Sequence, residues 1–124
     1  SQLADAHVAA GGDAYSYLFT WQPRLLRRSL GAFHAIDVPF LFGVSRQILE
    51  RGLEGIAPTA TKLSKDIQTA WTRFAASGIP ASGGLPAWQP YASGNRSTMV
   101  LGRRSHLAEA PLEVERSLWQ RWSG

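Results

Sequence analysis

Tyr15-Ser16-Tyr17-Leu18-Phe19-Thr20-Trp21 decides the fold class. Four aromatic residues recur at every second position, with small or aliphatic residues between them, so one face of an extended segment is aromatic throughout. Pro23 closes the stretch. A strand of this kind needs a layer packed on its aromatic face and neighbours along its edges. The chain around it offers few partners. Upstream, Gln2 to Ala10 reads as a short helix that stops at Gly11-Gly12. Downstream, Ser97-Thr98-Met99-Val100-Leu101 reads as a second, short strand. Helices account for most of the rest. Ser45 suits the cap of a helix carrying Ile48 and Leu49. A stronger helix starts at Ser64 and repeats Ile67, Ala70, Trp71, Phe74 and Ala75 before Gly78 and Pro80. Pro111 suits the first position of a last helix, whose early Glu113 and Glu115 and late Arg116 and Arg121 agree with the helix dipole. Between Ile79 and Asn95, Gly, Pro and Ser mark a long surface connection, with Trp88 and Tyr91 folded back as anchors. His106 falls in a polar loop after Arg103-Arg104-Ser105. The class is therefore α/β, with an element list too short for a complete sheet, because two strands with open edges are marginal alone.

Composition bounds the rest. A chain of 124 residues is one domain's length, and 44% apolar residues with five Trp exclude a disordered class. No Cys is present, which excludes a thiolate nucleophile, a disulfide framework and cysteine-held metals. The net charge of +4 comes mostly from Arg, scattered except for Arg24/Arg27/Arg28 and Arg103/Arg104. Those clusters are too small and too poor in interleaved aromatics for a nucleic-acid tract, so nucleic acid is not an expected partner. No apolar run reaches the ~20 residues of a membrane span. The first residues lack the pattern of a signal peptide, which leaves the compartment unassigned, with the cytoplasm as the default.

The chemistry-bearing residue is His34. It lies in Gly31-Ala32-Phe33-His34-Ala35-Ile36-Asp37-Val38-Pro39-Phe40-Leu41-Phe42-Gly43, an apolar block interrupted by one imidazole and one carboxylate. A buried imidazole needs a hydrogen-bond partner; read from the residues alone, His34 is either a structural core histidine or a general base. His7 and His106 read as solvated side chains. The companions of a triad are absent. Ser45, in Gly43-Val44-Ser45-Arg46-Gln47, has only the first glycine of a nucleophile elbow, and Ser82, Ser93 and Ser97 have neither the pattern nor a preceding strand. No spacing of His and acids matches a metal site, and neither Gly11-Gly12 nor Gly83-Gly84 opens a phosphate-binding helix.

Taken in order, the aromatic strand, the histidine block, the Leu63-Ser64 to Trp71 and Phe74-Ala75 run, Gly78-Ile79-Pro80, and Trp88/Tyr91 resemble the C-terminal part of type-B carboxylesterases. These are α/β-hydrolases that include bacterial para-nitrobenzyl esterases and the cholinesterases. The resemblance runs from about Leu3 to Trp122 and is closer to the bacterial members, since the cholinesterase cysteines are missing and Ala35 stands where a glycine usually follows the histidine. It implies that residues 1–124 form the C-terminal segment of a single hydrolase domain: the last one or two core strands plus flanking helices, incomplete as a stand-alone sheet. It further implies that His34 is the triad histidine and Asp37 a supporting acid behind it, while Phe33, Phe40 and Phe42 line a pocket or pack the core. The nucleophilic serine, the triad acid and the oxyanion-hole glycines would precede this histidine in the chain, so the segment alone is expected to be inactive. Implied partners are a carboxylic ester substrate and either the N-terminal part of the same hydrolase or a second copy; no cofactor or metal is implied. Two other readings stay open: a cholinesterase-like binding protein that has lost its catalytic residues, and a basic interaction domain using the Arg clusters.

Overall fold

The computed structural model describes residues 2–22, 37–43 and 57–122. In order, these form α1 (Gln2–Ala9), β1 (Ser16–Phe19), α2 (Val38–Leu41), α3 (Ala57–Ser77), β2 (Ser97–Leu101), β3 (His106–Glu109) and α4 (Glu113–Trp122). The sheet order is β1-β2-β3. β1 runs parallel to β2 with Tyr17 opposite Met99, and β2 runs antiparallel to β3 with Met99 opposite Leu107. β2 is the central strand and the most apolar, and all five of its residues are buried. That is the burial expected where neighbours lie on both edges.

The alternation in Tyr15–Trp21 does what its period requires. The aromatic side chains face a helical layer, each meeting another ring edge-on: Tyr15 with Phe74 (5.9 Å between centroids), Tyr17 with Trp71 (5.0 Å), and Phe19 and Trp21 with Phe40 (5.0 and 4.9 Å). Such pairs contribute about 0.5–1.5 kcal/mol each beyond the area they bury. Around them, Ala60, Leu63, Ile67 and Ala70 of α3 close on Met99 and Leu101 of the sheet.

Three expectations need correction. The helix expected from Ser64 begins at Ala57, because the buried stripe starts at Ala60 and Leu63, and Pro58 in the first turn has no intrahelical donor to lose. The stripe also ends earlier than expected, with Phe74 nearly half exposed and Ala75 exposed. His106, assigned to a loop, opens β3, an exposed edge strand whose polar ends hide its period. Pro111 lies before the last helix rather than in it: Ala110 and Leu112 take left-handed φ values of 44° and 63°, and the helix begins at Glu113. The helix expected after Ser45 lies outside the described residues, which stop at Gly43 and resume at Ala57.

The long connection from Ile79 to Asn95 is held where the sequence placed its anchors. Trp88 and Tyr91 are buried; the Trp88 indole donates to the Ser16 carbonyl (3.2 Å), and Tyr91 N–H donates to the Ala14 carbonyl (2.7 Å). Asp66 of α3 holds the earlier part, accepting from Lys62 (2.8 Å) and Ser82 (2.7 Å), and the backbone of Gly84 passes so close to its carboxylate that a Cβ there would collide with it.

Tyr91 also ties down α1, its hydroxyl donating to Asp5 Oδ1 at 2.9 Å. That bond, chiefly, holds the Asp5 carboxyl below its ordinary value of 3.8. A depressed carboxylate contributes stability above its unfolded pKa and loses it as the pH falls through the lower folded value. α1 should therefore loosen from the body only under strongly acidic conditions. Amide exchange of α1, corrected for intrinsic rates, is expected to rise between about pH 5 and pH 2 relative to that of β2. The Tyr91→Phe chain should show the faster α1 exchange already at the upper pH.

Candidate active site

Of the residues expected to carry chemistry, Asp37, Phe40 and Phe42 are described, and they lie in and beside α2. Asp37 stands immediately before α2, at its N-cap position, with a helical φ of −73°. Its carboxylate makes no capping bond to the helix. It accepts instead from the Tyr17 hydroxyl of β1, at 3.0 Å. Burial, seconded by this bond to an anion, raises the Tyr17 pKa above 10.0, so the phenol remains the donor through neutral pH.

α2 is a single turn, and its sequence explains why it stays in place. Val38-Pro39-Phe40-Leu41 is apolar, Pro39 sits in the first turn where its missing N–H costs nothing, and Gly43 leaves the turn at φ 70°. A helix this short cannot be stable by itself, so the surroundings hold it. The Phe40 ring, 2% exposed, packs between Phe19 and Trp21. The Phe40 carbonyl, which a one-turn helix leaves without a helical donor, accepts from Ser64 Oγ at 2.6 Å and from Gln68 Nε2 at 3.1 Å. Gln68 Nε2 also contacts Ser64 Oγ at 3.1 Å, joining two side chains one turn apart on α3.

Beside Tyr17 an open apolar cleft of about 210 Å³ is lined by Tyr15, Tyr17, Trp71, Phe74, Pro80 and Trp88. It is continuous with the aromatic face of β1, and Tyr17 itself is 39% exposed.

Of the residues singled out in the sequence, the structure brings Asp37 to Tyr17 and buries Phe40 in the core, while the Phe42 side chain is 76% exposed. Phe40 is therefore a core residue. His34 and Phe33 lie outside the described residues. Sequence reasoning took Ser64 only as the start of a helix and passed over Gln68; Tyr17 was read only as one ring of an aromatic face. No group of three or more His, Asp or Glu side chains suited to a metal occurs among the described residues, and no described helix is long and apolar enough to cross a membrane.

A partly parallel sheet with α3 packed across one face is part of an α/β-hydrolase fold, and solved structures similar to it are esterases of that fold. A carboxylesterase from Geobacillus stearothermophilus superposes with a TM-score of 0.75 at 32% identity, covering 94% of this chain and 24% of its own. An esterase from Clostridium hathewayi, described as able to hydrolyse aliphatic aromatic polyesters, superposes with a TM-score of 0.76 at 26% identity, over 91% of this chain and 22% of that one. The chain belongs to the carboxylesterase family, whose model matches residues 1–119. Among curated relatives, the para-nitrobenzyl esterase of Bacillus subtilis (strain 168) is 29% identical over 113 residues. That alignment takes in 91% of this chain and 22% of the relative, so the chain spans about a fifth of the length of such a protein.

Proposed function

We propose that residues 1–124 are the C-terminal segment of a serine carboxylesterase domain and that His34 is its general base. The observation that carries this reading is the family match over residues 1–119, which takes in the whole block from Gly31 to Gly43 with its histidine. In the α/β-hydrolase order, serine, acid and histidine follow one another along the chain, so the serine and the acid come from polypeptide preceding this segment. The reaction is acyl transfer. His34 takes the proton of the serine hydroxyl as the oxygen attacks the ester carbonyl carbon, then returns it to the departing alcohol as the tetrahedral intermediate collapses to an acyl-enzyme. Water repeats the cycle: His34 removes its proton during attack on the acyl carbonyl and gives it back to the serine as the acid leaves.

Two surfaces support a larger body around this segment. β1 is an edge strand among the described residues, flanked by the open aromatic cleft. α4 turns Val114, Leu118, Trp119 and Trp122 outward, with Trp122 88% exposed, while Arg116 joins Glu113 on its less exposed side. Apolar area of this kind is normally covered.

The test is complementation. The purified chain should hydrolyse para-nitrophenyl butyrate no faster than its His34→Ala form, and co-expression with the serine-bearing upstream part should produce turnover blocked by a serine-directed phosphonate. Phosphonate-sensitive turnover by the chain alone at about 1 per second or more would overturn the reading, as would a folded complex that does not turn over.

A further inference from the structure

We propose that α4 is a hinged strap, with residues 110–112 as its hinge and the Arg96 side chain as its latch. Three non-glycine residues among those described have a left-handed φ: Arg96 at 47°, Ala110 at 44° and Leu112 at 63°. A side chain makes that conformation costly, so the surroundings must hold it, and such residues gather at clamps and switches. Here all three meet at one place. The Ala110 N–H is shared between the Asn95 carbonyl (3.1 Å) and the Arg96 carbonyl (3.3 Å), which ties the strained start of the hinge to the strained residue before β2. Arg96 then spans the hinge: its Nη1 donates to Glu113 Oε2, in the first turn of α4, at 2.6 Å. One residue therefore grips the hinge at both ends, by main chain at Ala110 and by side chain at Glu113.

Beyond the latch, α4 has little to hold it down. It has ten residues, none of them buried, and a helix of that length is marginal in water without packing. Glu113 also takes two bonds from Arg116 of its own helix, each at 3.2 Å, and these chiefly hold its carboxyl below the ordinary 4.5, so the group the latch grips stays anionic at neutral pH. Arg96 Nε is buried with no partner among the described residues, a desolvation cost that the Glu113 bond must offset. A costly hinge and one charge-assisted bond therefore oppose each other: closed, the hinge is strained and the latch made; open, the hinge relaxes and the latch is broken. In the closed position α4 forms one side of a groove of about 570 Å³ whose lining includes Ser16 and Leu18 of β1 and Thr98 of β2, so opening widens the groove beside β1. The inference stands whether or not His34 is the general base.

The test is amide exchange of residues 113–122 in the complete esterase, read against that of β2, which is wholly buried and reports global unfolding. Arg96→Met and Glu113→Gln should each speed α4 exchange about tenfold with β2 unchanged, and the double variant should go no further than Glu113→Gln alone, since both changes break one bond. Raising NaCl from about 0.05 to about 1 M should speed α4 exchange in the parent protein, the pair being partly exposed, and do so less in Arg96→Met. Ala110→Gly should act in the opposite direction. Glycine loosens an ordinary loop, but at a strained left-handed position it favours the closed state and should slow α4 exchange about 3- to 5-fold. Unchanged α4 exchange in Arg96→Met overturns the proposal; so does a rise of α4 and β2 exchange together, or faster α4 exchange in Ala110→Gly.

Discussion

On the proposed general-base role, replacing His34 with Ala in the complete protein is expected to lower kcat for ester hydrolysis by about 10⁴-fold or more, with the fold retained. The size follows from the way a triad works. A serine hydroxyl is a poor nucleophile until a base takes its proton during attack, and the same imidazole must return that proton to a leaving alkoxide. Removing the base disables both half-reactions, and what remains is oxyanion stabilisation and binding. His7→Ala should leave kcat unchanged, since that side chain sits on the outer part of α1 against the Gly12 backbone. His106→Ala should also be silent, because its ring is exposed and lies at 3.2 Å from the Arg104 carbonyl. The three variants separate catalysis from packing. A structural histidine would lower the melting temperature and leave the surviving folded molecules fully active. Near-normal kcat per folded His34→Ala molecule would remove the general-base role and leave family membership as a statement about descent and fold.

What could be read in the sequence was whatever had a short period. β1 was legible because four aromatics at every second position can share a face only in an extended chain, and β2 because four apolar or β-branched residues, Thr98 to Leu101, stand together. β3 was not, because His106 and Glu109 bracket only two apolar residues, and an edge strand facing solvent has little reason to show more. The start of α3 was missed for a related reason: Ala60 contributes a methyl group to the core, which a hydrophobic pattern barely registers. The bonds that matter most around Asp37 are of another kind. Tyr17 to Asp37, and Ser64 and Gln68 to the Phe40 carbonyl, join residues twenty or more apart, and one partner is a main-chain oxygen that every residue possesses. No residue type at any spacing announces such a contact. The role expected of the histidine came only from resemblance, since from its neighbours alone a structural imidazole and a general base look the same.

Phe40→Ala is expected to cost about 3–5 kcal/mol, a large share of the ~5–15 kcal/mol that keeps a domain folded. The ring is nearly inaccessible and meets two others edge-on, so its removal takes away both the transfer term and two aromatic pairs, and leaves a cavity bounded by Phe19, Trp21 and α3. The cavity cannot close easily: Phe19 and Trp21 are held by β1 and its continuation, where Thr20 N–H bonds the Leu101 carbonyl at 2.8 Å. Phe40→Leu should recover roughly half of the loss by refilling most of the volume without the ring pairs. The consequence reaches further than stability. The Phe40 ring, with Leu41 packed beside it, holds α2 without depending on hydrogen-bond geometry, and without the ring the Ser64, Gln68 and Tyr17 bonds must do most to hold a single turn that has no intrinsic tendency to form. In the complete esterase, Phe40→Ala should therefore show a lower denaturation midpoint in urea and, at temperatures where it is still folded, a reduced kcat as well. A Phe40→Ala enzyme that unfolds at the wild-type urea concentration would mean that α2 is held by its hydrogen bonds alone and that the aromatic cluster is incidental to the site.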